Sequence, residues 1–156
     1  MIWRIVALFL ILASPALADR RIALVVGNSA YRFATPLANP SNDATRVAEK
    51  LRAIGFEVTL ALDQDGQAFR VTLGEFSEAA LGADLALFFY AGHGIEMSGR
   101  NFLIPIDSAM KSEATASFET VSLDQVLTAV QGAKSLGIVM LDACRDNPFG
   151  ATMKRS

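Results

Sequence analysis

The amino-acid sequence predicts one α/β domain in which a mostly parallel sheet is covered by helices. Apolar runs of strand length alternate along the chain with segments whose apolar residues recur at helical spacing, and that alternation is typical of parallel sheets. The chain has 156 residues, 52% of them hydrophobic, which is enough for one domain with its own core. Its net charge is −2 and its Lys and Arg residues are scattered, so nucleic acid and anionic membranes are not expected as partners.

Residues 1–18 have the pattern of a secretory signal peptide. Arg4 precedes the unbroken apolar stretch 5–13, Pro15 ends it, and Ala16-Leu17-Ala18 matches an A-x-A cleavage site. The alternative is a membrane anchor, but a membrane-spanning helix needs about 20 apolar residues. We therefore expect cleavage after Ala18, a mature domain over residues 19–156, and export to the periplasm or the medium.

The first half of the mature chain alternates between strands and helices. Arg21–Gly27 is apolar and predicts a buried parallel strand. Ser41 or Asn42 is expected to cap a helix that runs to about Ile54, where Gly55 would end it. Residues 56–62 predict a second strand, residues 67–81 a helix, and residues 83–90 the most apolar strand.

The second half continues the alternation with one interruption. Residues 101–105 predict a short strand or hairpin arm, and the polar segment 107–120 predicts irregular structure. A helix is expected over residues 121–130 with Ser122 as its cap. Residues 134–141 predict the last strand, which leads to the only cysteine of the chain.

Each of two reactive side chains follows a predicted strand. Cys144 is the only cysteine and His93 the only histidine, and ligands of open α/β sheets bind at the carboxyl ends of strands. An imidazole can take the proton of a thiol and so make it a nucleophile. The amides of Gly94 and Cys144 could then stabilise an oxyanion, and the Asp142 carboxylate could bind a basic group of the substrate.

Simpler explanations exist for each residue alone. A lone cysteine after a strand is most often a small buried apolar side chain, and a histidine between glycines is commonly a turn residue. A dinucleotide site is not expected, because the full G-x-G-x-x-G pattern is absent around Gly92 and after Gly27.

Four segments in order resemble the caspase-like cysteine peptidases, and most closely their bacterial branch alongside the metacaspases. They are Ile22-Ala-Leu-Val-Val-Gly-Asn28, Leu37-Ala-Asn-Pro-Ser-Asn-Asp-Ala44, Leu87-Phe-Phe-Tyr-Ala-Gly-His-Gly94 and Val139-Met-Leu-Asp-Ala-Cys-Arg145. Cys144 follows His93 by 51 positions (144 − 93), close to the caspase spacing of about 50. The resemblance covers about residues 21–149.

The resemblance implies a three-layer αβα fold of the caspase large-subunit (p20) type and an endopeptidase acting on peptide or protein substrates. It makes His93 the general base and Cys144 the nucleophile. It places Asp43 and Asp142 in an acidic pocket for the residue before the cleaved bond, with Ala91 where many metacaspases have Ser. Cleavage after Arg or Lys is therefore expected. Asp43 could equally be an ordinary first-turn helix residue that interacts favourably with the helix dipole.

The main departure from the family is the end of the chain. Twelve residues follow Cys144 (156 − 144), so the small-subunit part of a caspase is expected to be lacking and the strand at residues 134–141 to be an exposed apolar edge. A partner chain or self-association could cover that edge. A catalytically inactive caspase-fold module that binds peptides or a partner is the alternative function. No acidic cluster has clear calcium-ligand spacing, so no metal or other cofactor is expected.

Overall fold

A computed structural model describes residues 19–143 and 148–149. The predicted signal peptide, residues 1–18, and the predicted nucleophile, Cys144, lie outside the described residues. In chain order the described elements are β1 (Arg21–Gly27), α1 (Pro40–Ala53), β2 (Glu57–Leu62), α2 (Gly66–Ala80), β3 (Leu85–Ala91), β4 (Gly94–Met97), β5 (Arg100–Leu103), α3 (Glu113–Glu119), β6 (Val121–Ser122), α4 (Leu123–Val130) and β7 (Leu136–Asp142). No helix within the described ranges has both the length and the apolar character needed to cross a membrane.

The main sheet has four parallel strands in the order β2-β1-β3-β7. Because all four run in the same direction, their carboxyl ends lie along one edge. Strands β4, β5 and β6 form a separate antiparallel sheet beyond that edge. The prediction of an α/β fold with a mostly parallel sheet is confirmed.

Helices cover both faces of the main sheet and make the predicted three layers. Side chains that alternate along the strands divide between the two faces. One face packs against α1 through a cluster that includes Val25, Phe89 and Ala44. The opposite face packs against α2 and α4 through Leu24 and Phe88, among others.

Helix α1 begins two residues earlier than a cap at Ser41 would place it, and three earlier than a cap at Asn42 would. Pro40 occupies its first turn and Asn39 is its N-cap residue, without a side-chain hydrogen bond. Proline is favoured there because its φ is already helical and its missing N–H has no intrahelical partner to lose. The predicted end is confirmed, because the helix ends at Ala53 with Ile54 as its C-cap residue, and Gly55 follows with a φ of +90°.

The segment 107–120 is not irregular as predicted, because α3 occupies residues 113–119. Ser112 caps this helix by accepting a hydrogen bond from the Thr115 amide, and Ala116 is fully buried. Burial of one small apolar face stabilises a helix too short to be recognised by periodicity. The last helix was predicted from residue 121 but begins at Leu123, because Ser122 forms a capping box with Gln125.

We predict opposite effects on stability for two glycine-to-alanine substitutions. A Cβ at Gly27 would lie 2.6 Å from the Cβ of Ala44 and 2.7 Å from the carbonyl oxygen of Pro40. Gly27→Ala should therefore lower the free energy of unfolding by about 1–3 kcal/mol through overpacking. Gly74→Ala lies inside α2 with nothing within 4 Å, and should raise it by about 0.5–1 kcal/mol. Urea unfolding of both variants measures the difference, and a Gly27→Ala chain as stable as the parent would contradict the packing described here.

Candidate active site

The ends of β3 and β7 meet at the carboxyl edge of the main sheet. Ala91 is paired with Asp142 in the parallel register, and the Gly92 amide donates a hydrogen bond to the Asp142 carbonyl over 3.3 Å. The loop that carries His93 is therefore attached to the end of β7. The described chain reaches Ala143 there, the residue before Cys144 in the sequence.

A cavity of about 520 Å³ opens at this edge and is called the acidic cavity below. Four residues predicted for the site line it together, namely Asp43, Ala91, His93 and Asp142. The two carboxylates are the only acidic groups in its described lining, which contains no Lys or Arg. The arrangement can attract a cationic group, while the roles assigned to the four residues stay predictions.

Asp43 reaches the acidic cavity from the first turn of α1. Its amide donates a hydrogen bond to the Asn39 carbonyl over 2.9 Å. The helix begins close to the sheet because Gly27 leaves room for Pro40 and Ala44. The absence of a side chain at the end of β1 thus places a carboxylate beside the end of β3.

The His93 ring is oriented by a backbone carbonyl. Its Nε2 lies 2.8 Å from the Thr35 carbonyl oxygen, and a carbonyl can only accept a hydrogen bond. Nε2 therefore carries the hydrogen, and in the neutral imidazole the lone pair is on Nδ1. The Tyr31 ring packs against the imidazole with 4.5 Å between ring centroids. This arrangement makes Nδ1 the nitrogen that can accept a proton.

Two buried tyrosine hydroxyls hold the main chain of His93. The His93 amide donates to the Tyr31 hydroxyl over 2.8 Å, and the Tyr90 hydroxyl donates to the His93 carbonyl over 2.7 Å and to the Ile104 carbonyl over 3.1 Å. The two hydroxyl oxygens are 3.1 Å apart. Because the single hydrogen of Tyr90 points to the carbonyls, Tyr31 is the donor between the two tyrosines. Every polar atom of this group is thus satisfied.

Gly92 is the residue type that this arrangement requires. A Cβ at position 92 would lie 2.6 Å from the hydroxyl oxygens of both Tyr31 and Tyr90, closer than any such contact can be. The tyrosines are enclosed as a result. Burial raises the pKa of Tyr31 to about 12, although its hydrogen bonds with the Tyr90 hydroxyl and the His93 amide partly oppose the change. Burial raises the pKa of Tyr90 well above its ordinary value as well.

The Gly94 amide is directed away from the β4–β5 hairpin. Gly94 faces Leu103 in the antiparallel register, and the Ile104 amide donates to the His93 carbonyl over 3.1 Å. Bonded and non-bonded pairs alternate in such a ladder, so the pair of Gly94 and Leu103 is of the non-bonded type. This direction is compatible with the predicted oxyanion role of the Gly94 amide. The second predicted donor, Cys144, lies outside the described residues.

Sequence reasoning missed three contributors to this site. The buried hydroxyl of Tyr90 in an otherwise apolar strand needs a hydrogen-bond partner, and this was a usable signal. Tyr31 lies in a loop, where a tyrosine is a weaker signal of a buried hydrogen bond. Thr35 contributes its backbone carbonyl, which every residue type carries, so no sequence pattern marks it.

Comparisons with known proteins show which sequences this chain is similar to. The model of the Peptidase C14 family, described as a caspase domain, matches residues 20–155. The human mucosa-associated lymphoid tissue lymphoma translocation protein 1 is 30% identical over 130 residues, and its mouse homolog is 28% identical over 130 residues. Each alignment covers 83% of this chain, which spans only 15% of the length of those relatives.

A solved structure supports the fold. The crystal structure of protein GSU0716 from Geobacter sulfurreducens superposes with a TM-score of 0.60 at 20% sequence identity. The match covers 80% of this chain and 50% of that one. At this identity the similarity shows the shared architecture and says nothing of activity.

We predict that alkaline titration will report directly on this site, because Tyr31 and Tyr90 are the only tyrosines in the chain. Their pKa values are raised above the unfolded value of about 10. Their contribution to stability is therefore complete below pH 10 and is lost as the pH rises toward about 12. Tyrosinate absorbance of the folded chain should stay flat through pH 10 and rise together with unfolding.

The matched variant is Tyr31→Phe, which removes one of the two groups. Its unfolding free energy should fall less steeply between pH 10 and 12 than that of the parent. Ionisation of both tyrosines near pH 10 with circular dichroism unchanged would contradict the enclosed hydrogen-bond group.

Proposed function

The chain belongs to the caspase-domain family of peptidases, Peptidase C14, and on that basis we propose that it is a cysteine-type endopeptidase. Cys144 is the nucleophile and His93 the general base of the proposed reaction. The observation that carries the proposal is the orientation of the imidazole. Its Nε2 is committed to the Thr35 carbonyl, which leaves Nδ1 to take a proton, and the Gly92 amide joins the loop of His93 to the end of β7.

The proposed reaction passes through an acyl-enzyme. His93 Nδ1 takes the thiol proton as Cys144 Sγ attacks the carbonyl carbon of the cleaved bond. The amides of Gly94 and Cys144 stabilise the resulting oxyanion. The C–N bond then breaks, and the imidazolium returns its proton to the leaving amine. Water, deprotonated by His93, hydrolyses the thioester and restores the thiol.

We propose further that cleavage follows Arg or Lys. A cation in the acidic cavity would lie near two carboxylates, Asp43 and Asp142, and the described lining contains no Lys or Arg. An acidic substrate side chain would meet like charges there instead. Leu37 lines the cavity, near the position where the family resemblance would put an arginine in a caspase, and a leucine cannot pair with an aspartate.

Two further proposals concern the setting of the domain. Strand β7 is an edge strand of the described four-strand sheet. Its side chains Leu136 and Met140 are 50% and 47% exposed. Parallel strands are usually buried on both faces, so a partner chain or a second copy is proposed to add there.

Export with removal of residues 1–18 is also proposed, on the pattern around Ala18.

We predict that the chain hydrolyses a fluorogenic peptide amide with Arg before the cleaved bond. Cys144→Ala and His93→Ala should each abolish turnover, because one lacks the nucleophile and the other its base. The same peptide with Asp in place of Arg should be turned over more slowly. Binding of the Arg peptide without turnover in any variant would favour the alternative, a non-catalytic peptide-binding module.

The charge of the acidic cavity is tested by Asp43→Asn and Asp142→Asn. Each should lower kcat/KM for the Arg peptide by roughly 10-fold or more, the effect of losing a hydrogen bond between charged groups. Glu49→Gln is the matched control, because Glu49 is exposed on the same helix as Asp43 and lies outside the cavity lining. An equal loss of kcat/KM in all three variants would contradict the proposal that the two carboxylates in the cavity bind the basic side chain.

A further inference from the structure

A second cavity lies against the same sheet edge, on the side away from α1. Its volume is about 160 Å³, and its lining includes Gly94, Leu103, Leu123, Leu141 and Ala143. Asn101 supplies the one polar side chain of the described lining. We call it the apolar cavity.

The carboxyl edge of the main sheet separates the apolar cavity from the acidic cavity. Along β7, Asp142 lines the acidic cavity, while its neighbours Leu141 and Ala143 line the apolar one, as alternation along a strand requires. In the loop after β3, His93 lines the first cavity and Gly94 the second. The proposed base and the proposed oxyanion donor therefore lie between two binding spaces of opposite character.

We propose that the apolar cavity binds the side chain of the substrate residue that directly follows the cleaved bond, and that it selects an apolar residue there. This inference rests on the proposed peptidase function. Successive side chains of an extended peptide point to opposite sides. A peptide that places a basic residue in the acidic cavity therefore directs the next side chain to the opposite face of the sheet edge, where the apolar cavity opens.

The size and lining of the apolar cavity define the class of side chain. A protein cavity of about 150 Å³ lined by apolar side chains accepts a molecule as large as benzene, so the space fits Leu, Met or Phe. Leu141 is 44% exposed, and Leu123 is partly buried at the start of α4. An occupying side chain would remove this apolar surface from water, which favours binding in proportion to the area covered. A charged side chain would meet no partner there.

The test compares two peptides that differ only after the cleaved bond, one with Leu and one with the similarly shaped Asn. Both carry Arg before the bond. The expected result is a kcat/KM for the Leu peptide that is roughly 10-fold to 100-fold higher, from burial of one aliphatic side chain. Leu123→Asp should abolish that ratio by placing a carboxylate in the cavity.

Leu127→Asp is the matched control, because Leu127 is 40% exposed on the same helix and is absent from the cavity lining. This variant should keep the parent's ratio of kcat/KM between the Leu peptide and the Asn peptide. Leu123→Ala provides a milder change should Leu123→Asp fail to fold, and should reduce the ratio without reversing it. A ratio near one in the parent, or an equal loss in the Leu123 and Leu127 variants, would overturn the inference.

Binding to the Cys144→Ala chain separates this inference from the peptidase proposal. Fluorescence anisotropy of the two uncleaved peptides should give the Leu peptide a dissociation constant lower by roughly 10-fold or more. If the parent has no turnover and this difference persists, the peptidase proposal fails and the apolar cavity stands. If turnover occurs and neither kcat/KM nor binding distinguishes the peptides, the peptidase proposal stands and the apolar cavity fails.

Discussion

The geometry of the candidate site depends on two tyrosine hydroxyls buried beneath the main chain of His93. They satisfy both the amide and the carbonyl of that residue, and the imidazole places its Nε2 against the Thr35 carbonyl. Buried polar groups of this kind are costly unless all are paired, so the arrangement is stable only as a complete set. Gly92 is part of the set because a side chain there would displace both hydroxyls. Among the described residues, the hydrogen-bond partner of the imidazole is a backbone carbonyl, and Nδ1 carries the lone pair of the neutral ring.

The sequence was sufficient for the main sheet and insufficient for what surrounds its carboxyl edge. Strands such as β1 and β3 are continuous apolar runs, and burial on both faces makes that pattern unmistakable. Helix α3 was missed because it depends on a cap at Ser112 and on tertiary burial of Ala116, neither of which creates a periodic signal. His93, Asp43 and Asp142 were predicted from residue chemistry and family resemblance, and the structure brings them to one cavity. The Thr35 carbonyl could not be found, because a backbone atom carries no residue identity.

Alternation along β7 explains how one short segment can serve two binding spaces. Asp142 and Leu141 are adjacent in sequence, yet they line cavities on opposite sides of the sheet edge. The acidic cavity is closed on its far side by the first turn of α1, and the apolar cavity by the hairpin and the start of α4. The two spaces therefore differ in chemistry because they draw on different layers of the same fold. In the proposed function, a substrate would cross the edge between them at the position of its reacting bond.

In the proposed function, His93 activates Cys144 beside a cavity selective for a basic residue. The most direct measurement is mass spectrometry of the chain after treatment with a peptidyl acyloxymethyl ketone, an electrophile that alkylates an activated thiol at the position of the cleaved bond. We expect one adduct on Cys144 with the Arg reagent, much slower labelling with the Asp reagent, and loss of the adduct in His93→Ala. No adduct on Cys144, or equal labelling by the two reagents with His93 present or replaced, would contradict it.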